Sequence, residues 1–86
     1  MAVTTVADNA SSVTLLASNG SRKSAEIYND STATLYVRCE VAAASAAAYT
    51  AKMAAGSYFV VPFGYTGEIR GIWSSADGGY ARITEG

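Results

Sequence analysis

The fold is decided by the stretch from Gly56 to Gly86, GSYFVVPFGYTGEIRGIWSSADGGYARITEG. It contains three short runs rich in β-branched and aromatic residues, the types enriched in strands. The runs are residues 58–62, 68–74 and 80–85, and glycine-containing segments separate them. Such runs between glycine-rich turns predict short antiparallel strands.

Alternation within these runs predicts which side chains face inward. Ile69 and Trp73 share one face of the second run with Gly71, and Ala81 and Ile83 share one face of the third. A period of two with one polar face indicates a half-buried strand. Proline cannot donate to a strand ladder, so the Pro at position 62 marks the end of the first run.

Upstream, the same pattern predicts strands over residues 12–18, 22–28 and 33–40. Asn19-Gly20 between the first two is a strong hairpin signal, and Asn29-Asp30-Ser31 predicts the next turn. In the run 33–40, three residues fall on an apolar face: Leu35, Val37 and Cys39. We therefore predict an all-β fold, a small antiparallel sandwich or barrel of about 6–7 short strands.

Two segments leave alternatives open. Residues 1–10 alternate weakly and are interpreted as an N-terminal arm or an edge strand, with residues 11–86 forming a single β domain. Residues 41–55 are rich in alanine, the best helix former, and Gly56 stands where a helix cap would be. The segment lacks large apolar residues that could dock a helix, so a loop over 41–47 and a strand over 48–54 are favoured over a short helix.

Length and composition point toward self-association. A chain of 86 residues is one domain with a thin core. Cys39 has no second cysteine to pair with and the chain has no histidine, so a disulfide is excluded and a zinc or iron–sulfur site is not expected. Oligomerisation is the remaining common way to stabilise so small a domain.

The charge pattern argues against several partners. The formal net charge is −1, so no basic field is available for nucleic acid or an anionic membrane. The N-terminal residues do not resemble a signal peptide, and no apolar run approaches the ~20 residues of a membrane span. Charged residues make up 15% of the chain, against about 25% in typical domains. Either hydroxyl and amide groups take the place of charges in contact with water, or much of the surface contacts other protein.

No constellation of reactive groups stands out, and we expect a protein that is not an enzyme and that needs no cofactor or metal. The commonest general base, histidine, is missing. Cys39 lies on the apolar face of a predicted strand and is interpreted as a small buried hydrophobe. The glutamates fall about one to a strand and are interpreted as solvated charges.

The aromatic residues are the remaining candidates for a site. They could form a stacking platform for sugars, but basic residues are too few among them for nucleic acid. Filling of the core and of subunit contacts is the favoured interpretation. Trp73 is expected inside. The candidate contact or core aromatics are Tyr58, Phe63, Tyr65, Trp73 and Tyr80.

Residues 49–85 also carry a motif. The segments Tyr65-Thr66-Gly67, Gly71-Ile72-Trp73 and Ala81-Arg82-Ile83-Thr84-Glu85 resemble a family of small tailed-bacteriophage proteins with the pattern YTG-x-I-x-G-IW-x-x-A-x-G-x-A-R-V-T-E. Ile83 stands where the family usually has Val. The similarity extends upstream over residues 27–37, so that it covers about residues 25–85.

The resemblance implies a setting in a phage particle. It implies a non-enzymatic virion protein made in the bacterial host cytoplasm, most simply a capsid decoration or cement protein that acts as a homo-oligomer on the major capsid protein. A tail, baseplate or fibre accessory protein, with tail proteins as partners, is the first alternative. A small carbohydrate-binding module is the second.

Overall fold

The computed structural model describes residues 2–86 and places eight strands in two four-stranded antiparallel sheets. The strands are β1 (Ala2–Ala7), β2 (Val13–Leu16), β3 (Ala25–Asp30), β4 (Leu35–Arg38), β5 (Ala51–Met53), β6 (Tyr58–Val60), β7 (Ile69–Trp73) and β8 (Tyr80–Glu85). Sheet A has the order β1-β8-β3-β6, and sheet B has the order β2-β7-β4-β5. The predicted all-β class is confirmed, and the two packed sheets form a β-sandwich.

The core lies between the inner faces of the two sheets. Its largest side chains are buried as the alternation predicted, with Ile69 and Trp73 of β7 facing inward from sheet B and Ile83 of β8 facing inward from sheet A. Ile27 of β3 and Leu35 of β4 complete the centre. Burial of these apolar surfaces is the main force that holds the sheets together.

The N-terminal segment is an edge strand. β1 pairs with β8 without a break, from Ala2 opposite Glu85 to Ala7 opposite Tyr80. With β1 included, the sandwich has eight strands, against the 6–7 predicted from the sequence.

The prediction of a hairpin at Asn19-Gly20 is wrong. The dipeptide does turn the chain, since the Asn19 side chain accepts a hydrogen bond from the Ser21 amide and its carbonyl accepts one from the Arg22 amide. However, β2 pairs with β7 in sheet B, whereas β3 lies in sheet A. Leu15 and Leu16 are both buried, and packing them beside β7 carries β2 to the sheet opposite β3.

The turn predicted at Asn29-Asp30-Ser31 is displaced. Asn29 and Asp30 belong to β3, and the chain reverses only after them. The short polar side chain of Asn29, usual in turns, here finds hydrogen-bond partners inside the core. A tertiary contact has therefore overridden the local preference.

The short helix considered for residues 41–55 is absent from the described chain, which has no helix between residues 2 and 86. The segment is a loop with one isolated bridge between Ser45 and Ala48, followed by β5. Met53 of β5 is buried, and it is the one large apolar side chain that anchors this region in the core. The favoured loop and strand are confirmed, with β5 shorter than the predicted strand.

Candidate protein-contact surface

The outer face of sheet A carries most of the exposed large hydrophobic side chains of residues 2–86. The exposed set in that range is Val3, Val41, Tyr49, Tyr58, Val60, Phe63 and Tyr80. Four of these lie on the outer face of sheet A, namely Val3, Tyr58, Val60 and Tyr80. Clustering of this kind marks an interaction surface more often than scattered single residues do.

Strand alternation directs these side chains outward. Ile27 and Ile83 face the core, so their chain neighbours Tyr28 and Arg82 face solvent. The register then aligns side chains from adjacent strands, with Tyr28 opposite Arg82 on one side and opposite Tyr58 on the other. We call the outward-facing set the contact face; its members are Val3, Tyr28, Tyr58, Val60, Tyr80 and Arg82.

Two aromatic rings on the contact face pack against each other across β3 and β6. The ring centroids of Tyr28 and Tyr58 are 4.8 Å apart, with planes inclined by 34°. Aromatic pairs opposite each other on neighbouring strands stabilise a sheet. Tyr58 is nevertheless 69% exposed, so most of its surface is free to meet a partner.

The arginine of this face is paired, whereas the exposed Glu26, which also faces outward opposite Val60, has no ion pair among the described residues. Arg82 Nε donates to the Asp30 carboxylate over 2.6 Å, and the guanidinium carbon lies 5.4 Å from the centre of the Tyr80 ring. Exposed ion pairs add little to stability. The pairing does reduce the net charge that a partner would meet at this face.

The structure separates the five aromatics singled out from the sequence. Tyr58 and Tyr80 lie on the contact face, and Phe63 follows β6 in the next loop with its side chain 97% exposed. Tyr65 is half-buried and its hydroxyl donates to the Glu68 carbonyl. Trp73 is 2% exposed and belongs to the core.

Sequence reasoning missed four members of the contact face: Val3, Tyr28, Val60 and Arg82. Tyr28 could have been found, because it alternates with Ile27 in a predicted strand. Val60 could not, because the run YFVV is apolar at every position and gives no sign of which residues face outward.

The buried guanidinium of Arg22 joins three parts of the chain at the C-terminal end of β8. Arg22 Nε donates to the Glu85 carboxylate over 2.7 Å. Its two other nitrogens donate to the carbonyl oxygens of Ala17 and Gly67, over 2.7 and 3.0 Å. The hydrogen bond from Arg22 holds the pKa of Glu85 below its ordinary value. The contacts satisfy the charge and give Arg22 a structural role.

The remaining polar features of the described chain are a half-buried thiol and an open hollow. Burial raises the pKa of the half-buried Cys39 thiol. Residues 2–86 hold no cluster of three or more His, Cys, Asp or Glu side chains suited to a metal ion. An open polar hollow of about 260 Å³ lies between the turn after β3 and the turn before β8, and Asp30 and Asp77 contribute to its wall.

No helix within residues 2–86 has the length and hydropathy to cross a membrane. Comparisons of the chain with protein-family models, with curated proteins and with solved structures give no match. The contact face is therefore defined by the geometry of this chain alone.

Proposed function

We propose that this chain is a non-enzymatic structural protein of a tailed-bacteriophage particle that decorates or cements the capsid through contacts with the major capsid protein. The observation that carries the proposal is the contact face. Exposed tyrosine and valine side chains are concentrated on one sheet, and its arginine is paired. Aromatic enrichment with few free charges is typical of the centre of protein interfaces.

The action on the capsid would be mechanical. Each copy buries a modest apolar area against the shell and contributes a small free energy of binding. Repetition over many equivalent sites, and linkage of copies to each other, raises the total resistance of the shell without any strong single contact.

The proposal is tested by locating the chain in the particle. Phage particles assembled with the chain present are purified, and its copy number relative to the major capsid protein is measured by quantitative mass spectrometry. Copies in the hundreds, with density on the head in electron cryomicroscopy, support decoration. A few copies to a few dozen indicate the tail, and absence from the particle refutes a virion role.

A pair of matched variants tests the contact face itself. Tyr80 on this face and Tyr49 outside it have similar exposure, 40% and 43%. Tyr80→Ser is expected to reduce co-sedimentation with particles that lack the protein, whereas Tyr49→Ser is expected to retain it. Equal binding of the two variants would contradict the assignment of this face.

A carbohydrate-binding role is a second candidate, favoured by the exposed rings of Tyr58 and Tyr80, with the partly exposed Tyr28 beside Tyr58. Trp73 cannot stack on a sugar while it is buried, so its fluorescence is a poor reporter. Chemical shifts of the tyrosine rings, followed by NMR during titration with soluble bacterial glycans, test the role directly. Saturable shifts at sub-millimolar glycan would favour it over decoration.

A further inference from the structure

Among the strands of residues 2–86, β6 pairs with β3 alone, which leaves one edge of β6 free. On its paired side, the Val61 amide donates to the Ala25 carbonyl and the Ser57 carbonyl accepts from the Asn29 amide, each over 2.9 Å. The Ser57 carbonyl and the Val61 amide thus point toward β3, as do the backbone groups of Phe59 between them, whereas the Ser57 amide donates to the Ala54 carbonyl over 3.1 Å. By the alternation of antiparallel ladders, Tyr58 and Val60 direct their N–H and C=O groups toward the open side.

We propose that this edge pairs with the same edge of a second copy of the chain. The two β6 strands run antiparallel about a two-fold axis at Phe59 and join two copies of sheet A into one continuous sheet. The inference extends the contact face to a specific self-association and holds whether or not the chain belongs to a phage particle.

The register follows from the backbone. With the axis at Phe59, Tyr58 lies opposite Val60 of the second copy, and the two symmetric pairs make four backbone hydrogen bonds. The next outward position is Pro62, which has no N–H, and it falls opposite Gly56 of the second copy. The Gly56 amide already donates to the Asn29 carbonyl over 2.9 Å. The Pro62 carbonyl likewise accepts from the Tyr65 amide over 3.1 Å, so the ladder ends on both sides at these two residues.

The charge of the edge favours a second copy as the occupant. Residues 58–63, YFVVPF, contain no charged side chain, so a two-fold axis brings no like charges together. Other free edges carry features that oppose pairing, since β5 presents Lys52 and β2 has a register shift after Thr14.

The edge of β1 is the nearest competitor, because it is also uncharged. Of the exposed large hydrophobics in residues 2–86, β1 contributes Val3, whereas Tyr58 and Val60 lie on β6 and Phe63 follows it. Apolar side chains bordering the new ladder would be buried with it, which favours β6.

Amide hydrogen exchange of the wild-type chain tests the register. Exchange is followed by NMR at about 50 µM and about 1 mM protein, with sedimentation velocity at the same concentrations. The dimer should form at the higher concentration and slow the exchange of the Tyr58 and Val60 amides by roughly tenfold or more. A chain that stays monomeric at about 1 mM, or a dimer that leaves both amides unprotected, would overturn the proposal.

Two proline variants compare the competing edges. Val60→Pro removes an outward N–H of β6 that the monomer does not use. Thr5→Pro removes the equivalent N–H on β1. The Asp8 amide donates to the Gly79 carbonyl, so even positions of β1 direct their backbone groups toward β8 and odd positions direct theirs toward the open edge. Val60→Pro should abolish the dimer and Thr5→Pro should preserve it, and the reverse result would refute β6 as the interface. A monomer that still binds particles would sink this inference while leaving the proposed function intact.

Discussion

The side-chain oxygen of Asn29 accepts a hydrogen bond from the indole nitrogen of Trp73 over 3.3 Å, in the buried centre of the sandwich. The side-chain Nδ2 of Asn29 lies 2.8, 3.2 and 3.1 Å from the carbonyl oxygens of Ala33, Met53 and Ala54, so its two hydrogens are shared among three acceptors. One side chain thereby links β3 and β7 to the segment between β5 and β6. Buried polar groups are tolerated in a small core only when they are bonded in this way.

Replacement of Asn29 should be strongly destabilising. Asn29→Ala leaves the Trp73 N–H and buried backbone carbonyls without partners, and we expect a loss of about 3 kcal/mol or more in the free energy of unfolding. Urea denaturation followed by circular dichroism measures the loss. The matched control is the exposed Asn9. Within residues 2–86, its side chain makes one hydrogen bond, which it accepts from the Ser11 amide. Asn9→Ala should cost under about 1 kcal/mol, and equal losses would contradict the role given to Asn29.

Removal of the Trp73 side chain should cost about 3–5 kcal/mol, because it empties the largest buried position of the core. A domain of this size has roughly 5–15 kcal/mol in total. Trp73→Phe keeps most of the volume but removes the donor to Asn29, so a smaller loss is expected. Thermal melting compares the two variants. A Trp73→Ala protein that melts within a degree or two of wild type would rule out the buried placement.

The Arg22–Glu85 pair should make stability fall in acid. The folded-state pKa of Glu85 lies below its ordinary value of 4.5, so its contribution is complete above that value and is lost as the pH falls through the lower folded value. We expect Glu85→Gln to weaken the acid dependence of the urea midpoint between pH 7 and pH 3. Glu40→Gln serves as the control, because the Glu40 side chain is 63% exposed, and it should leave the acid dependence of the urea midpoint unchanged. An unchanged slope in Glu85→Gln would refute the linkage.

Gly71 should tolerate no larger side chain without a shift of Leu15. A Cβ at position 71 would lie 2.8 Å from Leu15 Cδ1 and 3.0 Å from Leu15 Cγ, in the core between β2 and β7. Gly71→Ala is expected to cost about 1–3 kcal/mol by overpacking, measured as the free energy of unfolding in urea.

The matched control for Gly71→Ala is Gly20→Ala, since a Cβ at Gly20 meets nothing within 4 Å. It should change stability by no more than about 1 kcal/mol. If the clash is with Leu15, the double variant Gly71→Ala and Leu15→Ala should lose less than the sum of the two single losses. Strict additivity would argue against the contact.

The predictions made from the sequence succeeded where a short stretch of chain determines the outcome. Alternation in β7 and β8 identified their inward faces, and the glycine turn before β8 is present, with Gly78 at φ 87°. The predictions failed where the same dipeptide is compatible with two different chain connections. Asn19-Gly20 turns the chain in a hairpin or in a crossing between sheets, and only the packing of Leu15 and Leu16 against the rest of the core selects the crossing.

Local patterning was enough to establish the β class and the inward faces of strands that alternate clearly, because a period of two is a local property of the chain. The three-dimensional fold set the burial of Arg22 and Asn29, since the groups that satisfy them lie up to 63 and 44 residues away. It also decided that Tyr58 and Val60 stay exposed. A fully apolar run carries no sign of its outward face, and β6 has an open edge because no other strand within residues 2–86 pairs on that side.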